Sequence, residues 1–467
     1  MKSSTEISAA DISAADIIAS DKQHVWHHLT QHQVFENNDP MIVVSGNGMR
    51  VNDIKGKTYL DATSGGVWSV NLGYGRTEIA DVVRDQLVEM CYFAQTAGSI
   101  PAANYAAALV DKMPGLSRVY FSNSGSEANE KVYKMVRQLA HINGKGEKYK
   151  IIYRDRDYHG TTIGALSSTG QSERRNQYGP FVPGFASFAH CCCYRCPFGK
   201  EYGSCNIECA QDLERVILEE GPESVGAVVL EPITAGGGVI PPVPEYFPII
   251  QKICKDYGVL LHIDEVVCGL GRTGEWFGYQ NYDVKPDFVT MAKGVASGYA
   301  AISCTVTTED IFTQFKNDPA QRMNYFRDIS TFGGCTAGPA AGLKTLEILQ
   351  REDLLTNVKT MGAYLQEGFE MLKREFPVIG DVRGKGLFAG LELVADRTSK
   401  QPVPEAYAAG IVAECMKQGL LIGRTNRSFD LLNNTLCFSP ALIATRADID
   451  EMIAILTSVF ASKPLSI

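Results

Sequence analysis

An acid and a lysine lie at the ends of two apolar runs in the stretch 258–302. The first run, GVLLHIDEV, contains Asp264 and Glu265 near its end, and the second, DFVTMAKG, stops at Lys293. Apolar runs of this length predict parallel strands that are buried on both faces. A charge at the end of such a strand is costly to desolvate unless it has a partner. The pair is therefore either a structural salt bridge or part of a cofactor site.

Pyridoxal phosphate (PLP) is a cofactor that needs both residue types. Lys293 would bond covalently to its aldehyde. Asp264 would keep its pyridine nitrogen protonated, so that the ring accepts electrons. This hypothesis also requires a phosphate site elsewhere in the chain.

The stretch 119–140, VYFSNSGSEANEKVYKMVRQLA, predicts a strand, a tight turn and the start of a helix. Ser124 or Ser126 could be an ordinary helix N-cap, which is how most such serines are used. The same turn, which includes Gly125, collects backbone N–H groups, hydroxyls and a positive helix end, and these suit a phosphate monoester. It is not a P-loop, because no Gly-Lys-Thr/Ser follows.

Two aromatic residues and one acid complete the candidates from local pattern. Tyr158 follows a predicted strand and is either a core tyrosine or a surface that stacks on a planar ring. Trp68 lies among glycines and is either an anchor for a loop or a wall of a ligand pocket. Glu231 ends another apolar run, VGAVVLEPI.

Predicted strands begin near residues 119, 150, 225, 258, 287 and 300, with helical stretches between them. This alternation predicts an α/β fold with a large, doubly wound, mainly parallel sheet and ligands at the carboxyl ends of its strands. We assign this large domain to residues 76–338. Residues 1–75 and 339–467 are expected to form a smaller α+β domain that packs over it.

Outside the large sheet, several shorter elements are predicted from hydrophobic spacing. An amphipathic helix is expected to start within 21–38, and short strands at 41–44 and 58–61. Helical spacing recurs over 77–89, 340–349 and 361–375. Later strands are expected in the runs VRGKGLFAGLEL and TLCFSPAL.

The chain has 467 residues, of which 45% are hydrophobic and 21% charged, as expected for a globular protein. Its 44 Lys and Arg against 53 Asp and Glu argue against binding to nucleic acid or to a membrane surface. The first twenty residues contain no long apolar core, so we expect neither a signal peptide nor a transmembrane helix. A cytoplasmic protein is the expectation.

The thirteen cysteines are an odd number scattered over a large chain, which favours reduced thiols. Six of them lie within 191–209, where the pairs Cys193/Cys196 and Cys205/Cys209 have spacings that zinc could use. A surface loop of free thiols is the favoured interpretation, and no metal is expected.

The motifs SGSEAN, DYHG, LEPI, LLHIDEV, MAKGVASG and STFGG, in this order, resemble the class III aminotransferases of fold type I. The resemblance runs from about residue 24 to the C-terminus. It implies PLP as cofactor, covalent attachment at Lys293 and pairing of Asp264 with the pyridine nitrogen. It also implies phosphate contacts from Gly125 and Ser126, ring stacking by Tyr158, and a phosphate contact from Thr331 of a partner subunit, hence a homodimer or a dimer of dimers.

Long runs, such as HHLTQHQVFENNDPM and CGLGRTGEWFGYQ, are most similar to members of this family that use taurine and pyruvate. Taurine, hypotaurine or a short ω-amino acid is therefore the expected donor and pyruvate the acceptor. The alternative is an amine or ω-amino acid–pyruvate transaminase of broad specificity.

Substrate anions are expected to bind arginine, with Trp68 limiting donor length. Many relatives that use a dicarboxylate have a glutamate at the position of Gly236, which pairs with the arginine that Arg383 matches. Arg383 is therefore predicted to lack a carboxylate partner, although a purely structural ion pair is the other possibility at this strand start. Arg424 lies close to the position where pyruvate-using amine transaminases have a mobile carboxylate-binding arginine, and Arg427 is a nearby competitor.

Three rival functions stay open at this point. An aminomutase, decarboxylase or racemase would use the same cofactor without transfer to a second acceptor. A zinc-bound scaffold centred on 191–209 would need no PLP. A dinucleotide-dependent dehydrogenase is disfavoured, because no G-x-G-x-x-G turn follows the first strand of the large domain.

Overall fold

A computed structural model describes residues 13–316 and 320–465 of the chain. Most of the N-terminal stretch that we expect to be neither signal peptide nor transmembrane helix lies outside the described residues. Within the described ranges, no helix combines the length and the apolar character needed to cross a membrane.

Strands and helices alternate through most of the described chain. The strands are β1 Val43–Asn47, β2 Arg50–Asp53, β3 Thr58–Asp61, β4 Arg118–Ser122, β5 Lys150–Arg154, β6 Phe185–Phe188, β7 Val225–Leu230, β8 Leu260–Asp264, β9 Phe288–Met291, β10 Ser303–Thr307, β11 Ile379–Gly384, β12 Ala389–Asp396, β13 Gln401–Pro402, β14 Leu420–Leu421, β15 Gly423–Arg424 and β16 Thr435–Phe438. The α-helices are α1 Ala14–His24, α2 Thr77–Glu89, α3 Ile100–Val110, α4 Gly125–Ile142, α5 Ile163–Ser167, α6 Ser172–Arg175, α7 Glu208–Glu220, α8 Tyr246–Tyr257, α9 Glu309–Gln314, α10 Ala337–Arg351, α11 Leu354–Glu375, α12 Glu405–Lys417 and α13 Arg446–Ser462.

The large sheet has seven strands in the order β4-β10-β9-β8-β7-β5-β6. Strand β10 is antiparallel to both of its neighbours, and the pairs from β9 through β8, β7 and β5 to β6 are parallel. Since β4 and β9 both oppose β10, they point the same way. The prediction of a doubly wound, mainly parallel sheet is confirmed, with β10 as the antiparallel exception.

Burial on both faces explains why the central strands read as unbroken apolar runs. All six residues of β7 and all four of β9 are buried, as is β8 from its second residue onward. Helix α4 covers the sheet with residues at helical spacing, including Val132, Met135, Val136 and Leu139. Removal of this apolar area from water is worth about 25 cal/mol per Å² and is the main stabilisation of the sheet.

The carboxyl ends of the parallel strands meet at one edge of the large sheet. The turn before α4 follows β4 there, Tyr158 follows β5, and Glu231 follows β7. Asp264 ends β8, and Lys293 comes two residues after β9. Residues that are far apart in sequence are therefore gathered along this edge by strand direction alone.

Two smaller sheets come from the ends of the chain. One has the order β1-β2-β3-β14, and β14 from the C-terminal part pairs parallel with β3 from the N-terminal part. The other has the order β11-β12-β16-β15, with β13 paired to β12. The shared first sheet agrees with one smaller domain from both ends, while the boundaries at residues 75 and 338 stay a prediction.

The N-terminal helix was predicted in the wrong place. Helix α1 ends at His24, and the stretch 21–38 holds only a 3-10 turn at His32–Glu36. Trp26, which the amphipathic pattern would bury, is 89% exposed. An apolar face without a surface to pack on gives a helix little stability, so the pattern by itself did not specify one. Strand β1 also starts at Val43, two residues later than predicted.

Candidate active site

A cavity of about 450 Å³ opens at the edge where the strand ends meet. Five predicted site residues line it together: Gly125, Ser126, Tyr158, Asp264 and Lys293. The other walls come mainly from the loop around Val67 and the segment 298–302.

The turn between β4 and α4 forms one end of the cavity. The Ser124 hydroxyl accepts a hydrogen bond from the Glu127 backbone N–H at 3.2 Å, so Ser124 is the N-cap of α4. The Ser126 hydroxyl accepts from the Thr161 backbone N–H at 3.0 Å. A methyl group on Gly125 would lie 2.9 Å from the Val266 side chain, so the close turn requires glycine there. The positive end of an 18-residue helix therefore faces the cavity.

Asp264 is buried at the end of β8 and is held by three donors. Its Oδ2 accepts from His159 Nδ1 at 2.8 Å and from Asn129 Nδ2 at 2.9 Å, and its Oδ1 accepts from the Val266 N–H at 3.0 Å. Burial acts to raise the pKa of Asp264, but the hydrogen bond and charge of His159 outweigh it and keep the pKa below its usual value. The carboxylate is therefore ionised while still accessible from the cavity.

Lys293 lies in a strained backbone conformation, with φ at 46° in the left-handed region. Among the described residues, its ammonium group has no hydrogen-bond or ion-pair partner. Burial is the main cause that lowers the pKa of Lys293, and the charges of Asp264 and Glu231 oppose it. A lysine with a lowered pKa and no partner suits a nucleophile and base.

Tyr158 forms a wall of the cavity, and Glu231 holds its backbone. The Glu231 carboxyl accepts from the N–H groups of Tyr158 at 3.1 Å and Ala235 at 3.2 Å. Burial is the main cause that raises the pKa of Glu231 well above its usual value, with Asp157 adding to the effect. Glu231 therefore positions the Tyr158 loop from inside the protein.

Sequence reasoning missed two residues of this site. Asn129 lies on the buried face of α4, and His159, although part of the DYHG motif, had no role assigned. Thr290 donates to the Asn129 side-chain oxygen at 2.7 Å, which orients the amide toward Asp264. The available signal was that Asn129, a polar residue, occupies a position of α4 where the helical spacing predicts an apolar one.

Trp68 does not belong to the described lining of the cavity, although Val67 and Ser69 on either side of it do. Its ring packs edge-on against Phe388, with the ring centroids 5.6 Å apart, and beside an apolar cluster that includes Val267. This contact favours the anchor interpretation over the pocket wall.

Arg383 was predicted without a carboxylate partner, and this prediction is wrong. Its Nη1 donates to Asp381 Oδ2 at 2.8 Å and to Glu392 Oε2 at 2.7 Å. Asp381 on β11 is directly opposite Glu392 on β12, so the antiparallel register, rather than residue 236, supplies the acids. Although burial acts to raise it, the pKa of Glu392 is lowered to about 2 by Arg383 and Arg195.

Arg424 and Arg427 share one acid, Glu405 at the start of α12. The Glu405 Oε1 accepts from Arg424 Nη2 at 3.0 Å and from Arg427 Nη2 at 3.0 Å. Arg427 also lies 3.5 Å from Glu173. Neither arginine is among the described lining of the cavity, so binding of a substrate anion by either one requires an exchange of ion-pair partners.

Thr331 begins a 3-10 turn at Thr331–Gly334 and is exposed. It does not belong to the described lining of the cavity, so the structure of a single chain does not bring it to the other site residues.

The thiols of the segment 191–209 are all free, and six of them line a separate cavity of about 20 Å³. Within the described part of the chain, no group of three or more His, Cys, Asp or Glu side chains is placed to hold a metal ion.

Comparison with known proteins assigns the family. The model of the class III aminotransferase family matches residues 33–460. The chain belongs to the class III aminotransferases. The family predicted from the motifs is thereby confirmed, and the enzyme is an aminotransferase.

Relatives named for their substrates are similar to this chain over most of its length. A taurine–pyruvate aminotransferase of Bilophila wadsworthia is 59% identical over 93% of this chain and 94% of the relative. A hypotaurine/taurine–pyruvate aminotransferase of Paracoccus denitrificans is 58% identical over the same shares. The crystal structure of a Bacillus anthracis aminotransferase superposes with a TM-score of 0.92 at 38% identity, covering 96% of this chain and 98% of that one.

Class III aminotransferases depend on PLP, and the cavity fits that group. It combines a helix N-terminus for a phosphate, an ionised Asp264 for a protonated ring nitrogen, and a Lys293 without a partner among the described residues for the aldehyde. Three polar features of the cofactor, namely its phosphate, its ring nitrogen and its aldehyde, therefore have matching groups in one cavity.

Proposed function

We propose that this protein transfers the amino group of taurine to pyruvate, with hypotaurine or a short ω-amino acid as related donors. The products are sulfoacetaldehyde, or the corresponding aldehyde, and alanine. The observation that carries the substrate assignment is the 58–59% identity over 93% of the chain to two relatives named for this reaction. The cavity supports the chemistry independently.

We propose PLP as the cofactor. The turn at Gly125 and Ser126 would hold its phosphate, Tyr158 its ring face, Asp264 its ring nitrogen and Lys293 its aldehyde carbon. When bound, PLP accepts the electron pair that is released at the amino-bearing carbon of the donor.

Lys293 has two roles in this proposal. Its Nζ would hold the cofactor covalently at rest, and once free the same Nζ would take the proton from the amino-bearing carbon of the donor. Burial favours the neutral amine, which is the form that accepts a proton.

Asp264 acts through its charge. Because it is ionised and accepts hydrogen bonds from His159 and Asn129, it presents a fixed negative charge to a protonated ring nitrogen. An opposite charge at hydrogen-bond distance raises the pKa of such a nitrogen by about 1–3 units. The electron acceptor is thereby maintained at neutral pH.

The test of this function is formation of alanine from pyruvate with each of three donors: taurine, β-alanine and phenylethylamine. Taurine is expected to give the highest kcat/KM, with one sulfoacetaldehyde per alanine. A rival that transfers no amino group to a second acceptor would give no alanine.

The second candidate is an amine–pyruvate transaminase of broad specificity. The observation in its favour is that Arg424 and Arg427 are both ion-paired with Glu405, so either one must change partners before it binds a sulfonate. A preference for phenylethylamine over taurine and β-alanine in the same assay would select this candidate.

We propose a homodimer, or a dimer of dimers, as the working assembly. Support comes from exposed apolar side chains beside Thr331: Phe332 is 66% exposed and Phe93, whose N–H donates to Gly334 O at 3.3 Å, is 55% exposed. Dilution that separates the subunits should release cofactor, and sedimentation of an active, cofactor-loaded monomer would refute this.

A further inference from the structure

We call four arginines the arginine group: Arg383, Arg424 and Arg427, which the sequence predicts to meet a substrate anion, and Arg174, which lies over the Tyr158 ring. Three of them form ion pairs with carboxylates. Arg383 has Asp381 and Glu392, while Arg424 and Arg427 have Glu405. Arg174 differs, because none of the described carboxylates forms an ion pair with it.

Arg174 is the penultimate residue of α6, and two neutral groups hold it. Its guanidinium lies over the Tyr158 ring, 5.7 Å from the centroid, and its Nη2 donates to Asn426 O at 3.0 Å. Its Nε is buried and has no hydrogen-bond partner among the described residues. Burial is the main cause that lowers the pKa of Arg174, against the opposing effects of Tyr158 and Glu173.

The nearest acid along the chain is already engaged. Glu173 accepts from Asn433 Nδ2 at 2.5 Å and lies 3.5 Å from Arg427. A partly buried cation with one carbonyl partner and one orphaned N–H is unfavourable in the absence of an anion. The charge on Arg174 is therefore available to a ligand.

The position of Arg174 connects it to the active-site cavity. It contacts Tyr158, which lines the cavity, and Asn426, which lies between Arg424 and Arg427 in sequence. The segment 424–428 also contacts the loop after β7, because the Ser428 hydroxyl donates to Gly236 O at 2.7 Å. Arg174 does not itself belong to the described lining of the cavity, and it lies between Tyr158 and the segment predicted to meet the substrate.

We propose that Arg174 forms an anion subsite that binds the sulfonate of the donor, or the carboxylate of an ω-amino acid or of pyruvate. This inference rests on the proposed function and names the residue that selects an anionic substrate. A planar guanidinium can offer parallel N–H donors to two oxygens of either group. Arg174 meets this requirement without first breaking an ion pair, which Arg383, Arg424 and Arg427 cannot do.

The experiment compares Arg174→Gln with Arg175→Gln in the PLP-loaded enzyme. Arg175 is a matched control, since it is the next residue, contacts the Tyr153 hydroxyl, and lies over the Phe181 ring at 4.4 Å. Ethanesulfonate is the probe, because it has the anion of taurine but no amine and cannot react. Its Kd is measured by isothermal titration calorimetry, with uncharged ethyl methyl sulfone as the control ligand.

We expect Arg174→Gln to raise the Kd of ethanesulfonate by about 10- to 150-fold, the range for losing a charge-assisted hydrogen bond. Arg175→Gln should leave this Kd unchanged, and Arg174→Lys should recover part of the affinity. In turnover, the KM for taurine should rise in Arg174→Gln while kcat/KM for propylamine changes less than twofold. The KM for pyruvate, measured with propylamine, rises if the acceptor carboxylate uses the same subsite and is unchanged if only the donor does.

Two outcomes would overturn the subsite. One is an unchanged Kd for ethanesulfonate in Arg174→Gln. The other is an equal loss for taurine and propylamine together with a shifted cofactor absorbance, because that pattern means that Arg174 only positions Tyr158. If the wild-type enzyme binds ethanesulfonate through Arg174 but makes no alanine from taurine and pyruvate, the proposed function fails and the anion subsite stands.

Discussion

The cofactor end of the cavity and the arginine group differ in whether their charged side chains are paired within the protein. At the cofactor end, Asp264 is kept ionised by neutral and histidine donors, and Lys293 has no partner among the described residues. In the arginine group, Arg383, Arg424 and Arg427 are paired with acids of the protein itself. At the cofactor end, the charged side chains that would meet a ligand are left available. In the arginine group, most of the charged side chains stabilise the fold or must change ion-pair partners before they bind a ligand.

The largest expected effect comes from removing the unpaired lysine. Lys293→Ala should lower turnover by more than about 10⁴-fold, because nucleophile and base are lost together. The visible absorbance of covalently held cofactor should disappear as well. Lys359→Ala is the control, since that lysine is exposed and pairs with Glu275 at 2.7 Å. A Lys293→Ala enzyme that keeps both properties would remove Lys293 from the mechanism.

Arg383→Ala tests the claim that this arginine is structural. It removes one of the two arginines that pair with the buried Glu392 and leaves Arg195 in place, so the free energy of unfolding should fall by up to about 3–5 kcal/mol. Arg50→Ala breaks the ion pair with Glu451, in which the Arg50 side chain is 43% exposed, and should cost about 0–1 kcal/mol. Urea denaturation measures both. If the two variants are equally stable and Arg383→Ala has a raised KM for taurine, Arg383 binds the substrate and is not structural.

Asp264→Asn keeps the shape of the side chain and removes its charge. We expect turnover to fall by at least about 10²-fold and the cofactor to bind more weakly, since the ring nitrogen loses its counter-charge. Asp287→Asn is the control, because Asp287 accepts from the Leu261 N–H at 2.8 Å in the same sheet but lies outside the described cavity lining. Near-normal turnover of Asp264→Asn would mean that another acid serves the nitrogen.

The smallest effect is a pH dependence of stability that originates at Glu392. Its pKa in the folded protein is about 2, below the usual 4.5, so its ion pair stabilises the fold above pH 4.5. That stabilisation should be lost as the pH falls toward 2. The difference in unfolding free energy between wild type and Glu392→Gln should therefore shrink over this range. A difference that is independent of pH would show that Glu392 is not ionised in the fold.

Much of the cofactor end could be predicted from local sequence. Apolar runs that end in Asp264 and Lys293 predicted buried strands, and parallel strands bring their carboxyl ends to one edge. The turn before α4 was predicted from its serines, its glycine and the helical spacing after it. Asn129 and His159 were not assigned roles, because the hydrogen bonds that define them join residues 30 to 135 positions apart.

The partners of the arginines could not be predicted. Arg383 meets Glu392 because β11 and β12 pair in one antiparallel register, and a shift by one residue would point these side chains to opposite faces. Arg424 meets Glu405 because α12 packs beside β15, although 19 residues separate them. The helix expected within 21–38 is absent for a related reason: Trp26 is 89% exposed, so none of the described residues covers its apolar face.

Sequence alone determined the family, the succession of strands along the chain with the candidate site residues that follow them, and which residue types could hold a cofactor. It did so because buried strands, helix caps and phosphate turns depend on residues that are close in sequence. Only the tertiary structure decided which charges are neutralised and which stay available, as at Lys293 and Arg174. Electrostatic interaction depends on distance and burial in three dimensions, and neither quantity is contained in a local pattern.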